Sequence, residues 1–326
     1  MEKYKVSIVI PIYNVEPYIL ECLLSVSNQT FQEGLECILV DDCGTDNSVQ
    51  VAERFLENYH GKIHFEMVHH EKNGGLSAAR NTGIRASHGE YLYFLDSDDA
   101  IKPNCIELLL NLAEKHKADL VIGFYETGDD RMSQFDKINY PEVVSDKGQI
   151  KRMLLNYDYL PVTAANRLIK RELFSEKQLY FKEGIIHEDN YWTFFLAKYV
   201  NKLAICHKKI YDYRLTPGSI TNKVNVEKEI LAYRTMISDF CANIDDIEKG
   251  AQKRDIFCLL LSAIDSHYYQ VAREASWLIN KFYEQNGCFI NLLLFMVFKL
   301  EKGTCVRNKI IHLLMRIFES NSWLCK

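Results

Sequence analysis

The sequence predicts an α/β fold, a mainly parallel sheet flanked by helices, with an α-helical C-terminal extension. Short β-branched runs alternate with amphipathic helical stretches through the first 124 residues, and each run ends in a polar motif. From about Asn225 onward the periodicity is helical only. Val6 to Ile10 is the first strand, of the kind a buried parallel sheet shows, and it ends in Pro11-Ile12-Tyr13-Asn14. Pro17 sits where a first helical turn tolerates it, and Ile19, Cys22, Leu23 and Val26 recur at helical spacing. Cys37 to Val40 is the second strand; it ends in Asp41-Asp42-Cys43-Gly44-Thr45-Asp46, after which Val49, Ala52 and Leu56 mark a helix. Ile63 to Val68 is the third strand, and Asn73-Gly74-Gly75-Leu76-Ser77-Ala78-Ala79-Arg80-Asn81 leads into the third helix. Tyr91 to Leu95 is the fourth strand. A helix from Pro103 to His116, with Ile106, Leu109, Leu110 and Ala113 on one face, feeds a strand at Leu120 to Phe124. In such sheets ligands bind beyond the carboxyl ends of the strands, where the polar motifs fall.

The most informative of these motifs is Phe94-Leu95-Asp96-Ser97-Asp98-Asp99, which places three carboxylates within four positions. Carboxylates so close repel unless a cation or protons intervene. Mg²⁺ and Mn²⁺ take oxygen ligands, and Mg²⁺ is typically held by one or two carboxylates plus substrate phosphates. The cluster therefore suggests a metal-bound phosphate substrate; the plainer reading is a solvated acidic turn that caps the next helix. A Rossmann-type oxidoreductase shares the architecture, but its first strand-to-helix turn reads G-x-G-x-x-G. Here that turn is Pro-Ile-Tyr-Asn, which disfavours a dinucleotide site.

Five motifs, in order, resemble the inverting family 2 glycosyltransferases of GT-A fold, which use nucleotide-diphosphate sugars. They are Ser7 to Asn14, Val40 to Asp46, Asn73 to Asn81, Leu95 to Asp99, and His187-Glu188-Asp189-Asn190-Tyr191-Trp192, and the resemblance covers roughly residues 4 to 220. Cys43-Gly44 stands where the family usually has Gly-Ser. The resemblance implies that Pro11 and Tyr13 wall a uracil ring, that Asp42 accepts its imide N–H, and that Asn73 and Arg80 meet ribose and diphosphate. It implies ribose and metal contacts for Asp96 and Asp98, and water-mediated metal contact or helix capping for Asp99. Arg214 and Ser219 in the segment Ile210 to Thr221 are expected to approach the diphosphate, and His207 is a candidate third metal ligand. The implied cofactor is Mn²⁺ or Mg²⁺. Asp189 is the expected base that removes the acceptor hydroxyl's proton, with Glu188 as the alternative. Aromatic residues Tyr191, Phe194, Phe195 and Tyr199 follow at helical spacing, so acidic residues there also have an ordinary role as helix-dipole partners. Ala164-Ala165-Asn166-Arg167-Leu168 resembles the family's acceptor-side stretch and receives no role. The donor so implied is a UDP-sugar carrying a hexose or N-acetylhexosamine, and the acceptor a glycan or lipid-linked glycan in bacterial polysaccharide biosynthesis. A non-catalytic nucleotide-sugar-binding or scaffold protein of the same descent is the alternative; it has no need of Asp189.

Composition bounds the remainder. The 326 residues exceed one average domain, and a formal charge of −5 gives no sign of nucleic-acid binding. Ten cysteines without paired spacing read as reduced thiols of a cytoplasmic protein, and the first strand begins too early to leave room for a signal peptide. The expected division is a catalytic domain at 1–222 and a helical region at 223–326. In the latter, Ile256, Leu259, Leu260, Ala263 and His267 form one stripe. Phe289 to Leu300 is nearly all apolar, yet shorter than the roughly 20 residues needed to span a bilayer. From Gly287 onward six Lys or Arg face two Glu, a local charge of +4. Three readings are open for this region: peripheral contact with an anionic membrane surface, helical core, or a homo-oligomer interface.

Overall fold

The computed structural model describes residues 4–216 and 225–266, and Ile311 beyond them. The strands are β1 (Val6–Ile12), β2 (Leu35–Asp41), β3 (His64–His69), β4 (Tyr91–Phe94), β5 (Ala100–Ile101), β6 (Leu120–Glu126), β7 (Val143–Val144), β8 (Arg167–Lys170) and β9 (Leu203–Asp212). The helices are α1 (Ile19–Ser27), α2 (Ser48–Asn58), α3 (Leu76–Ala86), α4 (Cys105–His116), α5 (Asp130–Ser133), α6 (Lys147–Leu154), α7 (Glu172–Lys177), α8 (Glu188–Tyr199), α9 (Val226–Ala242) and α10 (Lys249–Asp265). The strands form one sheet in the order β3-β2-β1-β4-β8-β6-β9-β5, with β7 paired to β9.

All seven residues of β1 are buried. Val6, Ile8, Ile10 and Ile12 pack with Ile19, Cys22, Leu23 and Val26 of α1. On the other side of the sheet Ile38 and Val40 of β2 meet Ala79 of α3. A strand covered on both faces reads as a continuous apolar run, which is why β1 and β2 are so plain in the sequence. Each fully buried Val, Ile or Leu contributes about 1.5–3 kcal/mol relative to exposure. Gly83 permits the approach of α3 to β1, because a Cβ there would overlap Val9.

The parallel arrangement holds, with one insertion absent from the sequence reading. Strands β1 to β4 pair parallel, and β6 pairs parallel with β9. Between these groups β8 runs antiparallel to both β4 and β6. Four residues are too few to show a period, so tertiary pairing alone defines β8. The strand order reverses direction between β1 and β4, and the ligand crevice of such sheets lies beyond the carboxyl ends of the strands at that point. Trp192 of α8 is fully buried, its ring stacked on Phe174 and Phe181. Among the described residues no cysteine forms a disulfide.

The chain falls into two compact units. The first comprises residues 1–150, 157–184 and 188–223 and holds the sheet. The second comprises residues 151–156, 185–187 and 224–326. Within the second, Lys151 donates to both oxygens of Asp245 at 2.6 and 2.7 Å, so its buried ammonium is matched by a carboxylate. The expected stripe Ile256, Leu259, Leu260 and Ala263 is buried. His267, the Phe289 to Leu300 run and the basic segment after it lie outside the described residues, as does Ser219. Among the described residues no helix is long and apolar enough to cross a membrane.

Candidate active site

Two loops open the site. Past β1, Asn14 adopts the left-handed region at φ 53°, and its Oδ1 accepts from Thr45 N at 2.6 Å. This fastens the β1 loop to the β2 loop. Gly44 is needed at the crossing, since a Cβ there would lie 2.9 Å from Asn14 N. Pro11 is buried at the strand end while Tyr13, 45% exposed, presents its ring to solvent. The two therefore provide a floor and an open aromatic face at one strand end.

Asp42 is 3% exposed, and its carboxylate accepts four bonds from this chain. Oδ1 accepts from Gly74 N at 2.7 Å and pairs with His70 Nδ1 at 2.8 Å. Oδ2 accepts from Asn73 Nδ2 at 3.0 Å and Gly75 N at 2.8 Å. The expected pair of Asp42 and Asn73 is thus brought together. Asn73 points at Asp42 rather than outward, because the turn entering α3 directs its donors back to the carboxylate. Gly75 makes that turn at φ +83°, a conformation that favours glycine.

Arg80, expected to meet a diphosphate, is 1% exposed and faces three carboxylates. Nη1 donates to Glu188 Oε1 at 3.1 Å and Asp189 Oδ1 at 2.8 Å, and Nη2 donates to Asp96 Oδ1 at 3.1 Å. The Phe181 ring lies 5.1 Å beneath the guanidinium. The physical reason is charge: a buried cation is stable only when paired, and α3 carries Arg80 to where β4 and α8 deliver acids. Burial alone would lower the Arg80 pKa, but Asp189, Asp96 and Glu188 together raise it.

The acids feel the same crowding. Burial first, then repulsion from Asp189, pushes Glu188 up to about 7 against the pull of Arg80. Burial likewise raises Asp96. Asp99 rises to about 8 through burial and then the nearby Asp96. It accepts from the Tyr211 hydroxyl at 2.8 Å and from Arg214 N at 2.7 Å, so it ties β9 to the acidic turn. Asp98 stays part-exposed and accepts from the Thr216 hydroxyl at 3.2 Å.

Two other expected residues sit elsewhere. The Arg214 side chain donates to Glu21 of α1 at 2.7 Å and lies over the Tyr18 ring, while only its backbone reaches Asp99. His207 lies in a stretch of β9 where the register with β6 shifts; it is exposed, its ring edge-on to Phe124 at 5.5 Å. Among the described residues no three His, Cys, Asp or Glu side chains form a group able to hold a metal by themselves, so His207 does not join Asp96 and Asp98. The extra residues of that irregular pairing point His207 at aromatic neighbours. Sequence reading missed Tyr211, Thr216, His70 and Thr82. Only folding brings Tyr211, Thr216 and His70 to the acids and Thr82 to His70.

Arg167, in the stretch left without a role, is fully buried. It donates to Thr193 Oγ1 and to the carbonyl of Pro161, and burial lowers its pKa to about 10.

The profile of the family described as Glycosyl transferase family 2 matches residues 7–176. Glycosyltransferase GlyG of Streptococcus pneumoniae serotype 4 is 30% identical over 252 residues, covering 74% of this chain and 80% of GlyG. The crystal structure of S. aureus TarS 1-349 in complex with UDP-GlcNAc superposes with a TM-score of 0.65 at 24% identity, over 80% of this chain and 73% of that one. The mannosyltransferase PcManGT from Pyrobaculum calidifontis, in complex with GDP-Man and Mn2+, gives a TM-score of 0.58 at 15% identity, over 99% of this chain and 88% of that one. Both structures show the GT-A-like fold.

Proposed function

Since this chain belongs to glycosyl transferase family 2 and is a glycosyltransferase, we propose that it is an inverting, metal-dependent enzyme using a UDP-sugar. It moves a hexose or N-acetylhexosamine to a hydroxyl of a glycan or lipid-linked glycan in bacterial polysaccharide biosynthesis. One observation carries the reading: Arg80 joins Asp96, at the end of β4, to the Glu188-Asp189 pair at the start of α8. A donor-side carboxylate and a candidate base thereby share one buried cation.

In this reading Pro11 and Tyr13 flank the base, Asp42 and Asn73 contact base and ribose, and Asp96 and Asp98 face the diphosphate. Mn²⁺ or Mg²⁺ fits there, because Asp96 and Asp98 offer part-exposed carboxylate oxygens, Asp96 bonding Arg80 through Oδ1 only, and substrate phosphates complete the set. Bound there, the ion would neutralise charge developing on the leaving diphosphate. The Mn²⁺ of PcManGT and the UDP-GlcNAc of TarS lend support. Asp189 takes the proton of the acceptor hydroxyl as its oxygen bonds to the anomeric carbon. The bond from that carbon to the diphosphate breaks, and its electron pair leaves with the nucleoside diphosphate. Peripheral contact with the cytoplasmic membrane face through residues 289–323 belongs to the same proposal. Pelleting of the full chain with anionic liposomes, weaker at high salt, would support it; no pelleting would remove it.

Calorimetric titration with UDP tests the site. Binding should need Mn²⁺ and weaken in Asp98→Ala. Equal binding in Mn²⁺ and in EDTA, unaffected by Asp98→Ala, would overturn the metal assignment, and no binding of UDP under either condition would overturn the donor.

A further inference from the structure

A carboxylate has about four lone-pair positions, and all four on Asp42 are filled from within the chain. A fifth donor, such as the imide N–H of uracil, must displace one of them. Two are backbone N–H groups of Gly74 and Gly75, fixed by the turn that starts α3. The third belongs to Asn73, an exposed side chain. The fourth is His70, held from several sides. Its Nε2 pairs with Thr82 Oγ1 of α3 at 2.8 Å, its N–H donates to Asp41 O at 3.0 Å, and its carbonyl accepts from Cys43 Sγ at 3.0 Å. Because an ionised carboxylate only accepts, the neutral ring must carry its hydrogen on Nδ1, leaving Nε2 to accept from the Thr82 hydroxyl.

We propose that His70, pinned by Thr82, is the positioning residue for base selection: it fixes the Asp42 carboxylate, so that when Asn73 swings away Oδ2 accepts the uracil imide. The proposal rests on the reading of Asp42 as the residue that meets the base. Asn73 leaves because, of the four donors, it alone is an exposed side chain, and both its bonds, to Oδ2 and to the Asp42 carbonyl, come from the same Nδ2, which water can satisfy. His70 stays because its ring is part-buried and its far nitrogen is bonded to Thr82 of α3. The freed oxygen then lies in a plane set by His70 and the two glycine N–H groups. Cytosine, which presents a lone pair at the same ring position, meets that oxygen with repulsion.

The test is calorimetry of UDP, CDP and pyrophosphate with Mn²⁺ on the full chain. A hydrogen bond to a charged group contributes about 1.5–3 kcal/mol, so wild type should favour UDP over CDP by about 10- to 100-fold. His70→Phe should bring that ratio close to one while pyrophosphate binding holds within about twofold. His70→Asn, whose amide donates from near the Nδ1 position, should keep most of the ratio, and Thr82→Val should lower it in part. A folded His70→Phe or Thr82→Val with the wild-type ratio overturns the proposal, as does equal weakening of all three ligands. If His70→Phe fails to fold, Thr82→Val decides. Absence of any wild-type preference would fail the reading of Asp42 and the proposal with it, whereas a preference that survives both variants fails the proposal alone.

Discussion

Arg80 Nη1 donates to Asp189 Oδ1 at 2.8 Å, a bond between residues 109 positions apart. The same guanidinium bonds Glu188 and Asp96. One buried cation thus faces three carboxyl groups, an arrangement that is stable only if some of them hold protons or a second cation joins. Both routes are written into the site, in the raised pKa values of Glu188 and Asp96 and in the open carboxylate of Asp98.

Removing the cation should therefore cost more than removing any one acid. Arg80→Met leaves buried carboxylates uncompensated and should destabilise by about 3–5 kcal/mol near pH 8. At pH 5, where Glu188, raised to about 7, is largely protonated, the loss should be smaller. Urea denaturation at both pH values checks this. An equal loss at both would mean that Arg80 acts through packing rather than charge.

Asp189→Asn keeps the side chain's shape without its ability to take a proton. Transfer should fall by a factor on the order of 10² to 10⁴, with UDP-sugar affinity nearly unchanged. Transfer retained in Asp189→Asn but lost in Glu188→Gln would move the base one residue upstream. Loss in neither would exclude the pair from the chemistry.

Stability should fall as pH rises. A carboxyl whose folded pKa lies above its unfolded value binds its proton more tightly in the native state, so its contribution is full below the unfolded pKa and is lost as pH climbs to the folded one. For Glu188 the window runs from about 4.5 to about 7, and for Asp99 from 3.8 to about 8. Denaturation midpoints from pH 5 to 8 should decline, and less steeply in Glu188→Gln. An identical slope in that variant would show that Glu188 titrates at its ordinary value.

Gly83→Ala would drive a methyl group into Val9. The helix must then lift from β1, at about 1–3 kcal/mol, and carry Arg80 away from its acids. Thermal denaturation should show the stability loss and an assay a fall in transfer. Unchanged stability would mean that α3 has room to retreat.

The sequence by itself determined the α/β order and the strands buried on both faces, because Val6 to Ile10, Cys37 to Val40 and Tyr91 to Leu95 carry almost wholly apolar patterns. The acidic cluster Asp96 to Asp99 also stood out at the end of an apolar strand, while Asp42 and Glu188-Asp189 were marked only by the resemblance to family 2 glycosyltransferases. What only the tertiary structure decided is which of these residues touch. Arg80 sits in a motif that implied a phosphate contact, yet long-range packing of α3 on β1 turns it toward α8 and β4. His70 and Thr82 carry no local signal, and Tyr211 lies in a marked segment without a role of its own; each acquires a partner only when segments 12 to 115 residues apart are folded together. The antiparallel β8 is equally silent, because four residues hold too little pattern to reveal a strand and only its neighbours' unpaired edges specify it. Local pattern records burial; the partner of a buried charge is chosen by the fold.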